Sequence, residues 1–419
     1  MKFIPAIAIT FLSFSTTATA TATSASSSSS FSEEKQAVIV VRADRIRGVY
    51  FGALVADALC LGSHYEYDAL KIRKAYNGTT IERYMGPGEH MGGSTHGIGW
   101  GERNYHPGTK AGDQTDYGEY NVLVLEQLAK LATATHDPMD SDSPAAETTT
   151  TPQPFTIEAF IPTWIARLSS GWKQWVCTQT KQTYQQIQEG VSTSKLGGNS
   201  NAMALRYAAM FGYVGDNEDT LVDYALKTMF THREKTALLG NEFFARVVYR
   251  LVHRSSSGDN NSSTMTPREA IDSVVTDMNN GWITQKVNQA IEKYEEAIDL
   301  NGSSPLGKED FVDDLALTSM ARLWDVGKSE PIKVGKASPT EGTLPGSIYF
   351  ILKYQDNFVD AVKANAMVGG DNASRAIAIG MVLGAYHGID GALHDHPSLR
   401  DGLNHWNDSE ELLRMTTAN

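Results

Sequence analysis

The chain has 419 residues, 41% hydrophobic and 20% charged, which excludes disorder along the whole length and supplies enough for one large or two average domains. Its net charge of -13, from 36 basic and 49 acidic side chains, repels phosphate backbones and argues against general nucleic-acid or anionic-membrane binding. An anionic small ligand would need local help from a metal ion or a helix N-terminus.

Lys2, the apolar stretch Phe3 to Phe14 and the small residues around Ala18-Thr19-Ala20 and Thr21-Ala22-Thr23 have the layout of a cleaved signal peptide over residues 1–22. The stretch is too short to span a bilayer. It predicts entry into the secretory pathway, with a signal-led route to a plastid as a variant. A Ser-rich linker follows over 23–37. From residue 38 to residue 412 apolar residues recur at helical spacing, so the expected fold is all-α, a multi-helical single domain.

Val38 to Val41 is the best strand candidate but reads better as the opening of the first helix. Three stripes each predict a helix: Val122, Leu123, Leu125, Leu128, Ala129 and Leu131; Ala202, Leu205, Ala208, Ala209 and Phe211; Phe243, Phe244, Val247, Val248 and Leu251. Asn288 to Ile298 reads as a solvated amphipathic helix. Residues 133–154, rich in Thr, Ser, Asp and Pro, and 254–266, rich in Ser, Asn and Gly, read as surface insertions. Cys60 and Cys177 lie in apolar, helix-like contexts and read as buried free thiols. Among the sequons, Asn260 and Asn261 suit glycosylation best, and Asn372 lies in a motif too tight for a sugar.

Several polar clusters carry two readings. Asp113, Thr115 and Asp116 precede an apolar-periodic helix, where Asp and Thr cap exposed N–H groups, and Asp371 or Asn372 can cap the helix beginning near Ala373. The same helix starts would also favour an anionic ligand. Gly197-Gly198-Asn199 reads as a phosphate-approaching loop or a plain turn. His64, four residues before Asp68, and His232 read as structural hydrogen-bonders or as bases. Gly48, Gly52 and Ala56 leave one smooth helix face for close packing, and the small residues from Ala376 to Gly388 read as packing too. No Ser-His-Asp order, zinc spacing or phosphate P-loop is present.

Four of these stretches, in order, resemble the ADP-ribosylglycohydrolase superfamily, in its J1-crystallin-like branch. Gly48 to Leu59 is similar to the family's opening helix, and His64-Tyr-Glu-Tyr-Asp68 to the branch's His-Trp-Ile-Tyr-Asp stretch. His106-Pro-Gly-Thr-Lys-Ala-Gly112-Asp113-Gln-Thr115-Asp116-Tyr117-Gly118 stands at the Thr-Asp-Asp-Thr motif, with Tyr117 for the second Asp and Gly118 for the final Thr. Leu196 to Arg206, then Thr231-His232, resemble the Gly-Asn-Gly-x-x-Met-Arg loop and the Thr-His pair. Gly369-Gly370-Asp371-Asn372-Ala373-Ser374-Arg375 resembles Gly-Gly-Asp-x-Asp-Thr, with Ala373 for the second acid.

The resemblance implies an all-α hydrolase that cleaves an N- or O-glycosidic ADP-ribose link, its partner an ADP-ribose-type small molecule or an ADP-ribosylated protein. It implies Asp116 and Asp371 as catalytic residues, and Gly198, Asn199, Ser200, Gly369 and Gly370 as substrate-binding. It implies Thr115, Asp116, Asp371 and Ser374 as metal ligands. Tyr117 and Ala373 remove two carboxylates, so one Mg²⁺ is expected rather than two, with Asp113 as a shifted ligand and Glu119 a weaker one. A non-catalytic ADP-ribose or nucleotide binder and a crystallin-like structural protein are the alternatives.

Overall fold

The computed structural model describes residues 27–85, 105–134, 153–254, 265–298, 311–321 and 334–417. The expected leader at 1–22 lies outside them, as do 135–152 and 255–264 of the two expected insertions. The chain divides into two units, Met1–Ile39 and Val40–Asn419, and within the first only the opening of a helix is described.

Seventeen α-helices follow in order among the described residues: α1 Ser27–Cys60, α2 Ala69–Ala75, α3 Asp116–Thr133, α4 Ile157–Ser169, α5 Thr178–Gln188, α6 Met210–Tyr213, α7 Glu218–Thr228, α8 Lys235–His253, α9 Pro267–Met278, α10 Gly281–Ile298, α11 Val312–Ser319, α12 Thr340–Lys353, α13 Phe358–Val368, α14 Asn372–His387, α15 Ile389–Ala392, α16 Pro397–Asp401 and α17 Trp406–Thr417. The fold is all-α: the described residues hold no strand, only isolated bridges pairing Gly198 with His232 and Ala202 with Pro339. Val38 to Val41 lies inside α1, and helix also runs through the Ser-rich run from Ser27 onward. No described helix is long and apolar enough to cross a membrane.

The second expected helical stripe takes another form. Residues 202–209 are not helical, although 203–209 are buried, and helix begins only at Met210. Several backbone groups in and just before the segment find partners on other elements, which reduces the need for an i to i−4 ladder. Asn121 of α3 donates to Leu205 O at 3.0 Å and accepts from Ala208 N at 2.9 Å. Asn201 O accepts from both Thr340 N, at 2.8 Å, and Thr340 Oγ1, at 2.7 Å. Apolar spacing reports burial, and burial does not by itself require a helix.

Helices α1 and α14 cross in backbone contact at the centre of the core. A Cβ on Gly48 would lie 2.1 Å from Gly384 O, and one on Gly52 2.4 Å from Gly380 O. From the other side, a Cβ on Gly380 would lie 2.3 Å from Gly52 O and one on Gly384 2.0 Å from Gly48 O. No side chain fits between the helices, so the smooth faces legible in the sequence meet each other. Around the crossing Tyr50, Phe51, Leu54, Ile377 and Met381 are fully buried.

Gly384→Ala is expected to destabilise the protein by about 3 kcal/mol or more, because the clash is with backbone that cannot swing away. Gly391→Ala, whose nearest heavy atom would lie 3.9 Å off, is expected to be near neutral. Urea unfolding of the two variants side by side checks this; equal midpoints would contradict the close crossing.

Candidate functional site

The last turns of α1 carry Asp57, fully buried. Its carboxylate accepts Thr115 N at 2.7 Å and Thr115 Oγ1 at 2.6 Å, fixing the start of α3. Thr115 is the N-cap of α3, its side-chain oxygen accepting Tyr117 N at 3.2 Å. A Cβ on Gly118 would stand 2.4 Å from Asp57 Oδ2, so only glycine lets the carboxylate sit this close. Burial pushes the Asp57 pKa up to about 7, against hydrogen bonds from Thr115 and Gly118 that favour its charge.

At the start of α14, Asp371 is the N-cap and is fully buried. Oδ2 accepts the Tyr117 hydroxyl at 2.8 Å, which joins the first turns of α3 and α14. Oδ1 receives His64 Nε2 at 3.2 Å and Ser374 N at 3.4 Å. His64 Nδ1 lies 2.8 Å from His106 Nε2, and His106 Nδ1 accepts Trp175 N at 3.2 Å. That last bond assigns the tautomers, since an accepting Nδ1 leaves the proton of a neutral His106 on Nε2. The hydrogen bonds then run one way, from Trp175 through His106 and His64 to Asp371. Burial pushes Asp371 up, but hydrogen bonds from His64, Ser338 and Tyr117 outweigh it and hold the carboxyl below its ordinary value. Burial, with His64 beside it, drives the His106 pKa well below the usual imidazole value.

Beside this network opens a cavity of about 460 Å³ lined by Asp116, Tyr117, Gln179, Asn199, Ser200 and Arg206, with Cys177 and His232 on its wall. Three of its polar atoms are buried without a protein partner: Asp116 Oδ1, Gln179 Nε2 and Arg206 Nε. Such atoms are costly unless water or a ligand completes them. Asp116 is 8% exposed. Burial, then the nearby Asp371 and Asp57, push its pKa well above the ordinary carboxylate value, so it tends to keep its proton. Arg206 lies 3.8 Å over the Tyr120 ring and donates to Thr231 Oγ1 at 2.7 Å.

The expected site residues divide by position. Asp116, Asn199 and Ser200 line the cavity, and Gly198 lies behind it, where a Cβ would meet the Gln179 side chain at 2.4 Å. Gly369 and Gly370 hold positive φ of 71° and 72° and seat Asp371 from behind: Gly370 N donates to Glu66 O at 2.6 Å. Thr115 Oγ1 donates to Asp57, and Ser374 Oγ donates to Asp371 O at 3.2 Å. Asp113 accepts Lys110 N and Asn404 Nδ2, and Glu119 pairs with Arg167. His64 faces Asp371, while Asp68 caps α2. Asn372 is fully buried, as its tight motif implied. Cys177 corrects the sequence reading: it is half-buried on the cavity wall, whereas Cys60 is buried as expected. His106 opens the second motif and Arg206 closes the third, but neither has a role assigned by the sequence, and Gln179 carries no local signal.

One ligand atom from each of His64, His106 and Asp116 lies within 4.8 Å of the others, a group able to hold a metal ion. A Mg²⁺ pair does not fit these residues. Both Asp371 oxygens carry hydrogen bonds, the Thr115 and Ser374 hydroxyls donate within the fold, and Tyr117 and Ala373 supply no carboxylate.

A family model described as ADP-ribosylglycohydrolase matches residues 40–418 of this chain. A solved structure described as "ADP-ribosylglycohydrolase-related protein complex" aligns with 90% of this chain and 98% of its own at 13% identity and a TM-score of 0.54, a likeness of fold. No curated protein matches.

Two opposed titrations set the pH response of the fold. The proton that Asp57 gains on folding stabilises fully below 3.8 and is lost as pH rises through about 7, and Asp116 acts in the same direction. His106 and His232, held below 6.5, stabilise fully above that value and lose it as pH falls. Above the ordinary imidazole value of 6.5 the histidine terms are complete while the buried acids still titrate, so thermal stability is expected to fall as pH rises through about 7. A Tm still climbing past about pH 8 would contradict the buried acids.

Proposed function

The chain belongs to the ADP-ribosylglycohydrolase family, whose members are hydrolases and typically metal-dependent, and from that premise we propose that it hydrolyses an N- or O-glycosidic ADP-ribosyl link in the cavity beside α3. The observation that carries this reading is Asp116: a buried acid on the cavity wall, inclined by burial and the neighbouring acids to keep its proton, with Oδ1 lacking any protein partner. A carboxyl of that kind suits a general acid, donating its proton to the nitrogen or oxygen that leaves the anomeric carbon. Its conjugate base then accepts a proton from the incoming water.

The other lining groups suit binding. Arg206, planar and charged, suits a diphosphate, with its Nε–H still unsatisfied by protein. Gln179 Nε2, Asn199 and Ser200 supply further polar partners for phosphate or ribose. Asp371 acts behind them, orienting Tyr117 on the cavity wall. Thr115 and Ser374 fix the two helix starts.

The metal enters the proposal as one ion, not two. It would be an alternative to the general-acid role, its donors a carboxylate oxygen of an Asp116 that has lost its proton and the imidazoles of His64 and His106 turned out of the hydrogen bond they share. Two nitrogens and one oxygen suit a transition ion better than Mg²⁺, which prefers an all-oxygen shell. Such an ion would act as a Lewis acid on a substrate oxygen. The saturated hydrogen bonding of Asp371 favours a second reading, in which the cavity binds ADP-ribose without turnover.

Asp116→Asn is expected to lower hydrolysis of ADP-ribosylated protein by about 100-fold or more. The variant should melt no lower than the parent at about pH 8, because the substitution removes an acid whose ionisation is disfavoured by folding. Hydrolysis by the parent should decline as pH rises and Asp116 loses its proton. Release assays with thermal melts in the presence of ADP-ribose check all three. Unchanged hydrolysis in Asp116→Asn would overturn the acid role, and stabilisation by ADP-ribose without any hydrolysis would leave the binding reading.

A further inference from the structure

A second chemical group shares the cavity wall and takes no part in the proposed hydrolysis. Cys177 is the N-cap of α5, half-buried and open to the cavity. Its sulfur receives Thr180 N at 3.4 Å and lies 3.2 Å from Thr180 Oγ1. His232 Nε2 lies 3.6 Å from the same sulfur. The imidazole is held from behind, with Nδ1 2.7 Å from Thr231 Oγ1, which in turn accepts Arg206 Nη1 at 2.7 Å. Burial and the charge of Arg206 keep His232 neutral, well below the usual imidazole pKa.

These contacts make a thiol–imidazole pair with a fixed ring. A neutral His232 either accepts the thiol proton at Nε2 or donates from Nε2 to a thiolate, and Thr231 can serve both tautomers. The sulfur therefore has a proton acceptor on one side and helix N–H and hydroxyl groups on the other, the environment in which thiols react. Two further lining side chains carry buried donors without a protein partner: Gln179 Nε2 and Arg206 Nε, on residues only 6% and 4% exposed. They can hydrogen-bond an oxygen that departs with negative charge.

We propose that Cys177 is a covalent-modification site, converted to a sulfenic acid by hydroperoxides that enter the cavity, and that this modification closes the cavity to its ligand. As the sulfur attacks one peroxide oxygen, the thiol proton passes through His232 Nε2, which holds it only in transit. An S–O bond forms as the O–O bond breaks. Sulfur is oxidised to the sulfenic acid, and the peroxide is reduced to an alcohol, or to water from hydrogen peroxide, taking the proton from His232. Cys60 cannot resolve the product by local reaction, because it is fully buried and its thiol points to Asn372 O at 3.8 Å. Reversal therefore falls to an external thiol.

The inference uses the cavity of the proposed function but not its turnover. The purified full chain, treated with hydrogen peroxide and then dimedone, is digested and read by mass spectrometry. Dimedone is expected on Cys177 and not on Cys60, forming at least about tenfold faster than on N-acetylcysteine. His232→Ala and His232→Asn, each verified as folded by circular dichroism, should both slow it by about tenfold or more. Labelling of Cys177 no faster than N-acetylcysteine, or unaffected by loss of the imidazole, overturns the site. If neither variant folds, the parent decides through its rate relative to N-acetylcysteine. The oxidised protein should also lose its stabilisation by ADP-ribose and regain it with dithiothreitol; undiminished stabilisation overturns the closure. A reduced protein that ADP-ribose never stabilises would count against the proposed function instead, with the labelling result still deciding the site.

Discussion

The crossing of α1 and α14 at bare backbone is the constraint on which the site depends. Gly48 and Gly52 face Gly380 and Gly384 with no side chain between them. At that distance a single methyl group is enough to force the helices apart. Because the axes are pinned there, the C-terminal end of α1 and the N-terminal end of α14 come together. Cys60 Sγ and Asn365 Nδ2 both point to Asn372 O, at 3.8 and 2.8 Å. Asp57 then reaches the start of α3 and Asp371 reaches Tyr117. Two helix beginnings far apart in the chain thereby share one wall of a cavity.

Three acids in so small a space, Asp57, Asp116 and Asp371, need a source of compensation. Where the family resemblance places further carboxylates, this chain has Tyr117 and Ala373. The tyrosine answers the problem in another way. Its hydroxyl donates directly to Asp371, and with His64 it makes ionisation of that one acid favourable. The remaining two then bear the opposite consequence: burial and the neighbouring charge keep Asp57 and Asp116 inclined to hold protons. One ionised and two protonatable acids is a stable division in a low-dielectric setting. It leaves Asp116 as the acid that faces the cavity. Gly118 belongs to the same arrangement, since the threonine of the family pattern would bring a Cβ against Asp57.

The cavity wall carries two kinds of reactive group held by different means. Asp116 sits at the first position of α3 and depends on the α1–α3–α14 junction. Cys177 and His232 depend instead on the start of α5 and on the short bridge between Gly198 and His232. Arg206 is linked to both sets: its charge favours ionisation of Asp116, and it donates to Thr231. Changes at Arg206 should therefore be felt at both.

Much of this was legible in the amino-acid order, because local rules produced it. Helical periodicity gave α3, α8 and α10; Thr115 and Asp371 were readable as caps; glycine spacing announced a close helix contact. The sequence could not say which surfaces would meet, and so it could not reveal that Tyr117 would answer Asp371 or that His64 would turn from Asp68 to the start of α14. It also misread 202–209 as helix, because buried apolar residues look alike whether a helix or borrowed hydrogen bonds from Asn121 and Thr340 satisfy the backbone. Sequence determined the elements, their caps and the smooth faces through interactions within a few residues. Tertiary structure decided the site, because proton affinities depend on burial and on charges brought close from more than 250 residues away.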